Sequence, residues 1–204
     1  MSSTKQNIVI VKYNAGNIRS VNNALVRLGH EGLITADPEL IRKADKVIFP
    51  GVGEASNTMK YLNDTGLGAL IKELRQPVLG ICLGMQLMGS HSEEGDVDCL
   101  GIFDEPVRKF QLPSPNPENL KVPQMGWNRI YDLRSDLFDA SLEGEYVYFV
   151  HSYYVAKGND TAATTDYLLP YSSALQRDNF FATQFHPEKS GKVGEKMLAN
   201  FLKM

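Results

Sequence analysis

The sequence predicts an α/β fold: a mostly parallel central sheet with helices on both faces, followed by additional short antiparallel strands in the second half. Three observations carry this. Continuous apolar runs such as Ile8-Val9-Ile10-Val11 and Val47-Ile48-Phe49 suit strands covered on both faces. Between them lie segments of helical periodicity, giving a β-α alternation. After residue 98 the long periodic segments stop and short alternating ones replace them. At 204 residues the chain is long enough for one domain, residues 1–204, with a substantial core.

The elements follow in order. Asn7 to Tyr13 reads as the first strand, and a loop Asn14-Ala15-Gly16-Asn17 follows. Asn17 is a plausible N-cap for a helix whose Val21, Leu25 and Leu28 recur at helical spacing and which Gly29 ends. Gly32 to Thr35 is a short strand. Asp37 with Pro38 opens a short helix, since proline suits the first helical position. Val47 to Phe49 is a buried strand running into Pro50-Gly51-Val52-Gly53. Helices are expected around Ser56 to Leu62 and Leu67 to Leu74. The next strand, from Val78, turns at Cys82 into a helix from Leu83 to about Met88. Beyond it, short strands are expected at Leu100–Phe103, Pro106–Phe110, Arg129–Leu133, Tyr146–Val150, Tyr153–Ala156, Ala162–Tyr167, Ser173–Gln176 and Phe180–Gln184. The stretch from Gln111 to Pro123, with Pro113, Pro115 and Pro117, reads as a surface excursion. A final helix runs from about Gly191 to Leu202.

Composition narrows the function classes. A net charge of −3 gives no sign of nucleic-acid binding. No apolar run reaches membrane-spanning length, and the N-terminus has no signal-peptide pattern, so the cytoplasm is the expected compartment. Two cysteines, Cys82 and Cys99, form neither a disulfide framework nor a zinc spacing. Cys99, in a short apolar run, reads as a packed strand residue.

The chemistry concentrates at Gly80-Ile81-Cys82-Leu83-Gly84. A nucleophile on a sharp strand-to-helix turn needs tight packing on both sides, which two small flanking residues permit. The start of a helix favours a thiolate, and the Leu83 N–H is placed to bind an oxyanion. Alone, the element reads equally well as a buried cysteine on a Gly-rich turn. Phe185-His186-Pro187-Glu188 tips the balance. Pro187 biases His186 toward extended backbone, and in an extended segment His186 and Glu188 face one side. A carboxylate beside an imidazole is the base-plus-orienter arrangement that a thiol nucleophile needs.

The two elements together resemble the class I, triad-type glutamine amidotransferases. The resemblance covers the whole chain and implies Cys82 as nucleophile, His186 as base and then acid, and Glu188 as orienter. Pro50-Gly51-Val52-Gly53, the run Lys121-Val122-Pro123-Gln124-Met125-Gly126-Trp127-Asn128, and Asn14-Ala15-Gly16-Asn17-Ile18-Arg19-Ser20 narrow it. They look like the branch of glutaminase subunits that serve imidazole glycerol phosphate synthases. That branch implies glutamine as substrate, held by Gly53, Gln86, Glu94, Ser152 and Tyr153, with oxyanion donors from Leu83 and the Val52–Gly53 region. It implies no metal and no organic cofactor. It implies a heterodimer with a (βα)8-barrel cyclase subunit that consumes the ammonia, docked through Asn17, Met125, Trp127 and Lys189. His151 reads as a structural strand histidine. The branch commonly has an Asp-Tyr-Gly pattern where this chain has Lys12, Tyr13 and Asn14. Two other readings stand beside it: the glutaminase of another amidotransferase, such as pyridoxal-phosphate synthase, and a stand-alone cysteine hydrolase.

Overall fold

The computed structural model describes residues 6–13 and 18–204. The first loop, with Asn14 and the expected helix cap and docking residue Asn17, lies outside the described residues. The elements in order are β1 (Ile8–Val11), α1 (Ile18–Arg27), β2 (Gly32–Thr35), α2 (Pro38–Arg42), β3 (Lys46–Gly51), α3 (Ala55–Asp64), α4 (Leu67–Glu73), β4 (Val78–Cys82), α5 (Leu83–Met88), β5 (His91–Ser92), β6 (Val97–Asp98), β7 (Val107–Lys109), β8 (Gln124–Arg129), β9 (Tyr146–His151), β10 (Tyr153–Val155), β11 (Thr161–Tyr167), β12 (Leu169–Arg177), β13 (Phe180–Thr183) and α6 (Gly191–Lys203).

Among the described residues, eleven strands form one sheet in the order β2-β1-β3-β4-β13-β12-β10-β7-β5-β6, with β11 on β12. The pairs β2/β1, β1/β3, β3/β4 and β4/β13 are parallel, as the β-α alternation requires. The pairs β13/β12, β12/β10 and β10/β7 are antiparallel, matching the change of pattern after residue 98. A separate antiparallel pair, β8/β9, lies outside this sheet.

Strand alternation divides the core between two faces. Val9, Val11, Val47, Phe49 and Val78 pack under α2 to α5 with Ile41, Leu62 and Leu70. Ile8, Ile10, Ile48, Leu79 and Ile81 pack under α1 and α6 with Val21, Leu25, Met197 and Phe201. A side chain of this size contributes about 1.5–3 kcal/mol on full burial, so both layers are held strongly. No described helix is long and apolar enough to cross a membrane.

Two expected strands are corrected. Leu100–Phe103 is irregular chain, because its N–H groups bond back to the end of α5 and the turn after it: Leu100 N to Leu87 O at 2.8 Å, and Ile102 N and Phe103 N to Met88 O at 2.9 Å. The expected strand at Arg129–Leu133 lies earlier, as β8, where Gln124 to Arg129 pair with β9. The chain beyond it keeps only an isolated bridge, Tyr131 to Thr164. Cys99 is half-buried against the core but follows β6 and is not in a strand. Other boundaries differ by a residue or two, except that β12 begins earlier, at Leu169. The Asp37 cap is present, its carboxylate accepting from the N–H groups of Glu39 and Leu40.

The β4–α5 junction sets the position of the site. A Cβ added to Gly84 would stand 2.0 Å from the Phe49 carbonyl oxygen, and one on Gly80 would press on Met88 Sδ and the backbone of α5. Both glycines let α5 fold back against the strands beneath it. Gly84→Ala is therefore expected to cost about 2 kcal/mol or more, since backbone stands in the way and overpacking is not relieved by a rotamer change. Gly68→Ala, whose Cβ is tight only against the end of a side chain, Leu100 Cδ2 at 3.2 Å, with Leu62 and Asn63 at ordinary contact, should cost clearly less. Urea unfolding of the two variants checks the difference.

Candidate active site

Cys82 ends β4 with φ 54° and ψ −109°, a conformation that L-residues rarely occupy. Such strain costs about 1–3 kcal/mol and persists only where surrounding packing enforces it. The tight Gly80 and Gly84 contacts supply that enforcement. The sheet then brings the partners. Gly51 is the register partner of Cys82 on one side, and Thr183 pairs with Ile81 on the other. The chain following β13 therefore emerges beside the cysteine, and it carries His186 and Glu188.

His186 Nδ1 lies 2.8 Å from Glu188 Oε1, and both side chains are buried. The pairing is as expected but its backbone is not. His186 is extended, whereas Pro187–Lys189 forms a 3₁₀ turn, which brings the carboxylate back to the ring. Proline at the start of that turn explains the difference, since it favours a helical first turn as readily as it excludes one at the residue before it. His186 Nε2 is buried without an oxygen or nitrogen partner. Burial disfavours a charged ring, but the neighbouring Cys82 sulfur and the bond to Glu188 outweigh it and raise the His186 pKa above the ordinary value. The ring is thus placed to carry charge between the Cys82 sulfur and the Glu188 carboxyl group. By contrast, burial pushes the Cys99 thiol up to about 12.

A cavity of about 350 Å³ opens over this set. Its walls include every expected substrate and oxyanion residue: Val52, Gly53, Leu83, Gln86, Glu94, Ser152 and Tyr153 stand around Cys82 and His186, with Lys189 at the wall. A larger cavity of about 690 Å³ lies under the proline-rich loop, lined by Pro113, Pro115 and Tyr167 among others. It holds no nucleophile beside a base.

Individual placements refine the picture. Gly53 has φ 124°, which favours glycine, while Gly51 is needed for space, because a Cβ there would meet the Tyr13 hydroxyl and the first turn of α5. The Tyr13 hydroxyl donates to the Pro50 carbonyl. Burial, with the nearby Cys82 adding to it, holds the Tyr13 pKa far above its usual range. Glu94 accepts from the Ala55 N–H at 2.9 Å, so one of its oxygens anchors the start of α3. Burial raises its pKa, partly offset by that bond. His151 Nδ1 donates to the Tyr153 carbonyl at 2.7 Å, which fits the structural role expected of it. Met125 and Trp127 are 67% and 55% exposed on β8. Trp127 packs edge-on to Tyr148, and Lys189 Nζ lies 5.8 Å from the same ring. Trp127 and Lys189 thus share Tyr148 as a neighbour, Met125 is exposed on the same side of β8 as Trp127, and Lys189 reaches the cavity wall.

The residue that sequence reasoning passed over is Gln184. It is fully buried and its Nε2 lies 3.8 Å from Cys82 Sγ. The signal was present: Gln184 and His186 are two apart at a strand end, so alternation puts them on one side. Among the described residues no group of three or more His, Cys, Asp or Glu side chains is arranged to hold a metal ion.

Comparison with known proteins adds four findings. The family profile described as glutamine amidotransferase class-I matches residues 2–204. The chain is 63% identical to the imidazole glycerol phosphate synthase subunit HisH of Bacteroides thetaiotaomicron, covering 96% of this chain and 98% of that one. It is 46% identical to the protein of the same name from Escherichia coli K12, covering 97% and 100%. A crystal structure described as a glutamine amidotransferase shares the fold, with TM-score 0.70, 18% identity and coverage of 96% of this chain and 97% of that one.

One titration follows from the geometry. Burial, opposed by the bond to the Tyr153 carbonyl and helped by the charge on His186, pushes the His151 pKa down to about 4. The unfolded value is about 6.5. A depressed histidine contributes stability that is present above pH 6.5 and lost as pH falls toward 4, in total about 3 kcal/mol. The His151 ring resonances are expected to stay flat between pH 8 and 5 in NMR spectra. An inflection near pH 6.5 would contradict this placement.

Proposed function

The chain belongs to the class-I glutamine amidotransferases, and from that membership we propose that it is the glutaminase subunit of an imidazole glycerol phosphate synthase, acting in histidine biosynthesis. The observation that carries the chemistry is Cys82 and His186 on the wall of one cavity, with the buried Glu188 carboxylate bonded to the far side of the His186 ring. The near full-length likeness to the HisH subunits supports the choice of pathway.

The mechanism follows from the residues. Cys82 Sγ, its proton on His186 Nε2, attacks the side-chain amide carbon of glutamine. The developing oxyanion is met by the N–H of Leu83 and by one from the Val52–Gly53 region. Collapse of the tetrahedral species breaks the C–N bond, and the His186 proton leaves with ammonia. A glutamyl thioester remains. Water then gives a proton to His186 and attacks the thioester, releasing glutamate and the Cys82 thiolate. Glu188 holds the ring tautomer and stabilises its charged form. Gly53, Gln86, Glu94, Ser152 and Tyr153 hold the amino-acid end of the substrate. None of these steps needs a metal or an organic cofactor.

Ammonia freed into water would protonate and diffuse away, so a partner that receives it directly is expected. The proposed partner is a (βα)8-barrel cyclase, seated on the face of Met125, Trp127 and Lys189, with Asn17, which lies outside the described residues, as a further docking residue. A cytoplasmic location fits this role.

Two predictions test the reading. Cys82→Ala should abolish glutamine-dependent synthesis by the complex while ammonia-dependent synthesis persists, and Cys99→Ala should remain active. His186→Ala should lower the glutaminase rate by more than about 10³-fold, and Glu188→Gln by less, because an orienter contributes less than the base it holds. Steady-state rates decide; a fully active His186→Ala enzyme ends the triad reading. Separately, Trp127→Ala and Lys189→Ala should each weaken partner affinity about tenfold, as truncation of an interface anchor commonly does. Calorimetric titration with the cyclase measures this, and unchanged affinity in both moves the interface elsewhere.

A further inference from the structure

Resting on the reading of Cys82 as nucleophile, we propose that Gln184 is a positioning residue for it: its side-chain NH2 is held facing Cys82 Sγ and stabilises the thiolate there. A fully buried primary amide costs free energy unless its polar atoms are satisfied, and Gln184 is wholly buried. Its Oε1 lies 2.9 Å from Gln86 Nε2, and its Nε2 lies 3.8 Å from Cys82 Sγ, within reach given the large radius of sulfur.

The orientation of this amide is dictated by a backbone atom. Gln86 Nε2 also lies 2.9 Å from the Tyr153 carbonyl oxygen. A carbonyl only accepts, so the end of Gln86 facing it is the NH2 group. The second hydrogen of that group points at Gln184, whose facing atom is then the acceptor oxygen. This leaves the Gln184 NH2 toward the sulfur and no alternative flip. The Tyr153 carbonyl is itself pinned by His151 Nδ1 at 2.7 Å. The relay from His151 and Gln86 through Gln184 thus delivers one aimed N–H donor to Cys82. A donor of this kind stabilises a charged acceptor more than a neutral one.

Gln184 is not part of the cavity wall, so it meets the nucleophile and not the glutamine. The titratable and charged groups around Cys82 are His186 with Glu188 behind it, Tyr13 just after β1, and Glu94, His151, Tyr153 and Lys189 on the cavity wall. The Gln184 amide is uncharged at every pH. Removing it alters the charging of the sulfur without adding or deleting a titrating group.

The experiment is the pH dependence of Cys82 alkylation by iodoacetamide in the full chain, with modification sites located by mass spectrometry. Gln184→Met and Gln184→Leu are compared with the parent, and thermal unfolding identifies which variants are folded. The expected result is alkylation about tenfold slower at pH 7, with the rate–pH curve displaced to higher pH, as loss of one hydrogen bond to a charged group implies. A folded variant whose curve superposes on the parent overturns the proposal. So does a rate reduced equally at every pH, which marks altered access to the sulfur. Failure of the parent chain to react at Cys82 in preference to Cys99 would instead count against the nucleophile reading itself.

Discussion

The site depends on one close approach, the seating of Gly84 on the Phe49 carbonyl. A side chain at position 84 would collide with that oxygen at 2.0 Å, so only glycine lets α5 start directly over β3. Because α5 starts there, the chain must turn sharply at Cys82, and the cysteine is left at φ 54° with its sulfur at the end of the parallel strands. The cost of that backbone angle is met by packing in the core beneath it, where Leu83, Met85, Leu87 and Met88 are all buried. A nucleophile held by strain in a tightly packed turn does not need to be ordered at the moment of reaction.

The rest of the constellation comes from sheet order. β4 lies between β3 and β13, so the chain segments leaving all three strands meet at one end. β3 delivers the Pro50-Gly51-Val52-Gly53 run, β4 delivers Cys82, and β13 delivers Gln184, His186 and Glu188. In open parallel sheets the ends of the strands are where ligands bind, and here three neighbouring strands each contribute a different chemical part. Electrostatics then separates two buried histidines that share the site. His186 has a carboxylate and a thiol as neighbours and is held charged more readily than a free imidazole. His151 is held neutral by burial and by the positive His186 nearby, against which its one bond to an uncharged carbonyl is too weak. Burial acts the same way on both, so partner identity makes the difference.

Much of this was legible in the sequence where local rules decide. The helix Leu83–Met88, the Asp37 cap and the strand Gly32–Thr35 follow from short-range signals and stand where those signals put them. The residues lining the cavity were legible through motif positions. What was not legible required non-local partners. Leu100–Phe103 looks like a strand in isolation, but its N–H groups are taken by the end of α5 and the turn after it. The Met125-Gly126-Trp127-Asn128 run was expected to precede a strand, yet it is one, because β9 lies opposite it. The geometry of Pro187-Glu188 was misread as extended, since proline restrains both the residue before it and the turn after it. Gln184, just past the end of β13, shares a side with His186 by alternation, but that spacing names no role until the thiol it faces is known.

The small β8/β9 pair connects the chemistry to the outside. On β9 the buried side chains Val147, Phe149 and His151 face the core, and the last of these pins the Tyr153 carbonyl. On β8 the alternate side chains Met125 and Trp127 face solvent, with Tyr148 of β9 beside Trp127 and Lys189 over the Tyr148 ring. Period-two alternation thus puts a polar relay to the nucleophile on one side of a two-stranded ribbon and a large apolar surface on the other. A ribbon outside the main sheet has fewer neighbours to restrain it than a central strand. Pressure on its outer face from a docked partner is opposed chiefly by the contacts of its inner face. Gln124 makes this concrete: it begins β8, directly before Met125, and its side chain accepts from the Tyr171 hydroxyl, which lies 3.3 Å from His151 Nε2. The outer and inner faces of the ribbon therefore share backbone within one residue of each other, which joins the proposed docking surface to the hydrogen bonds behind the cavity.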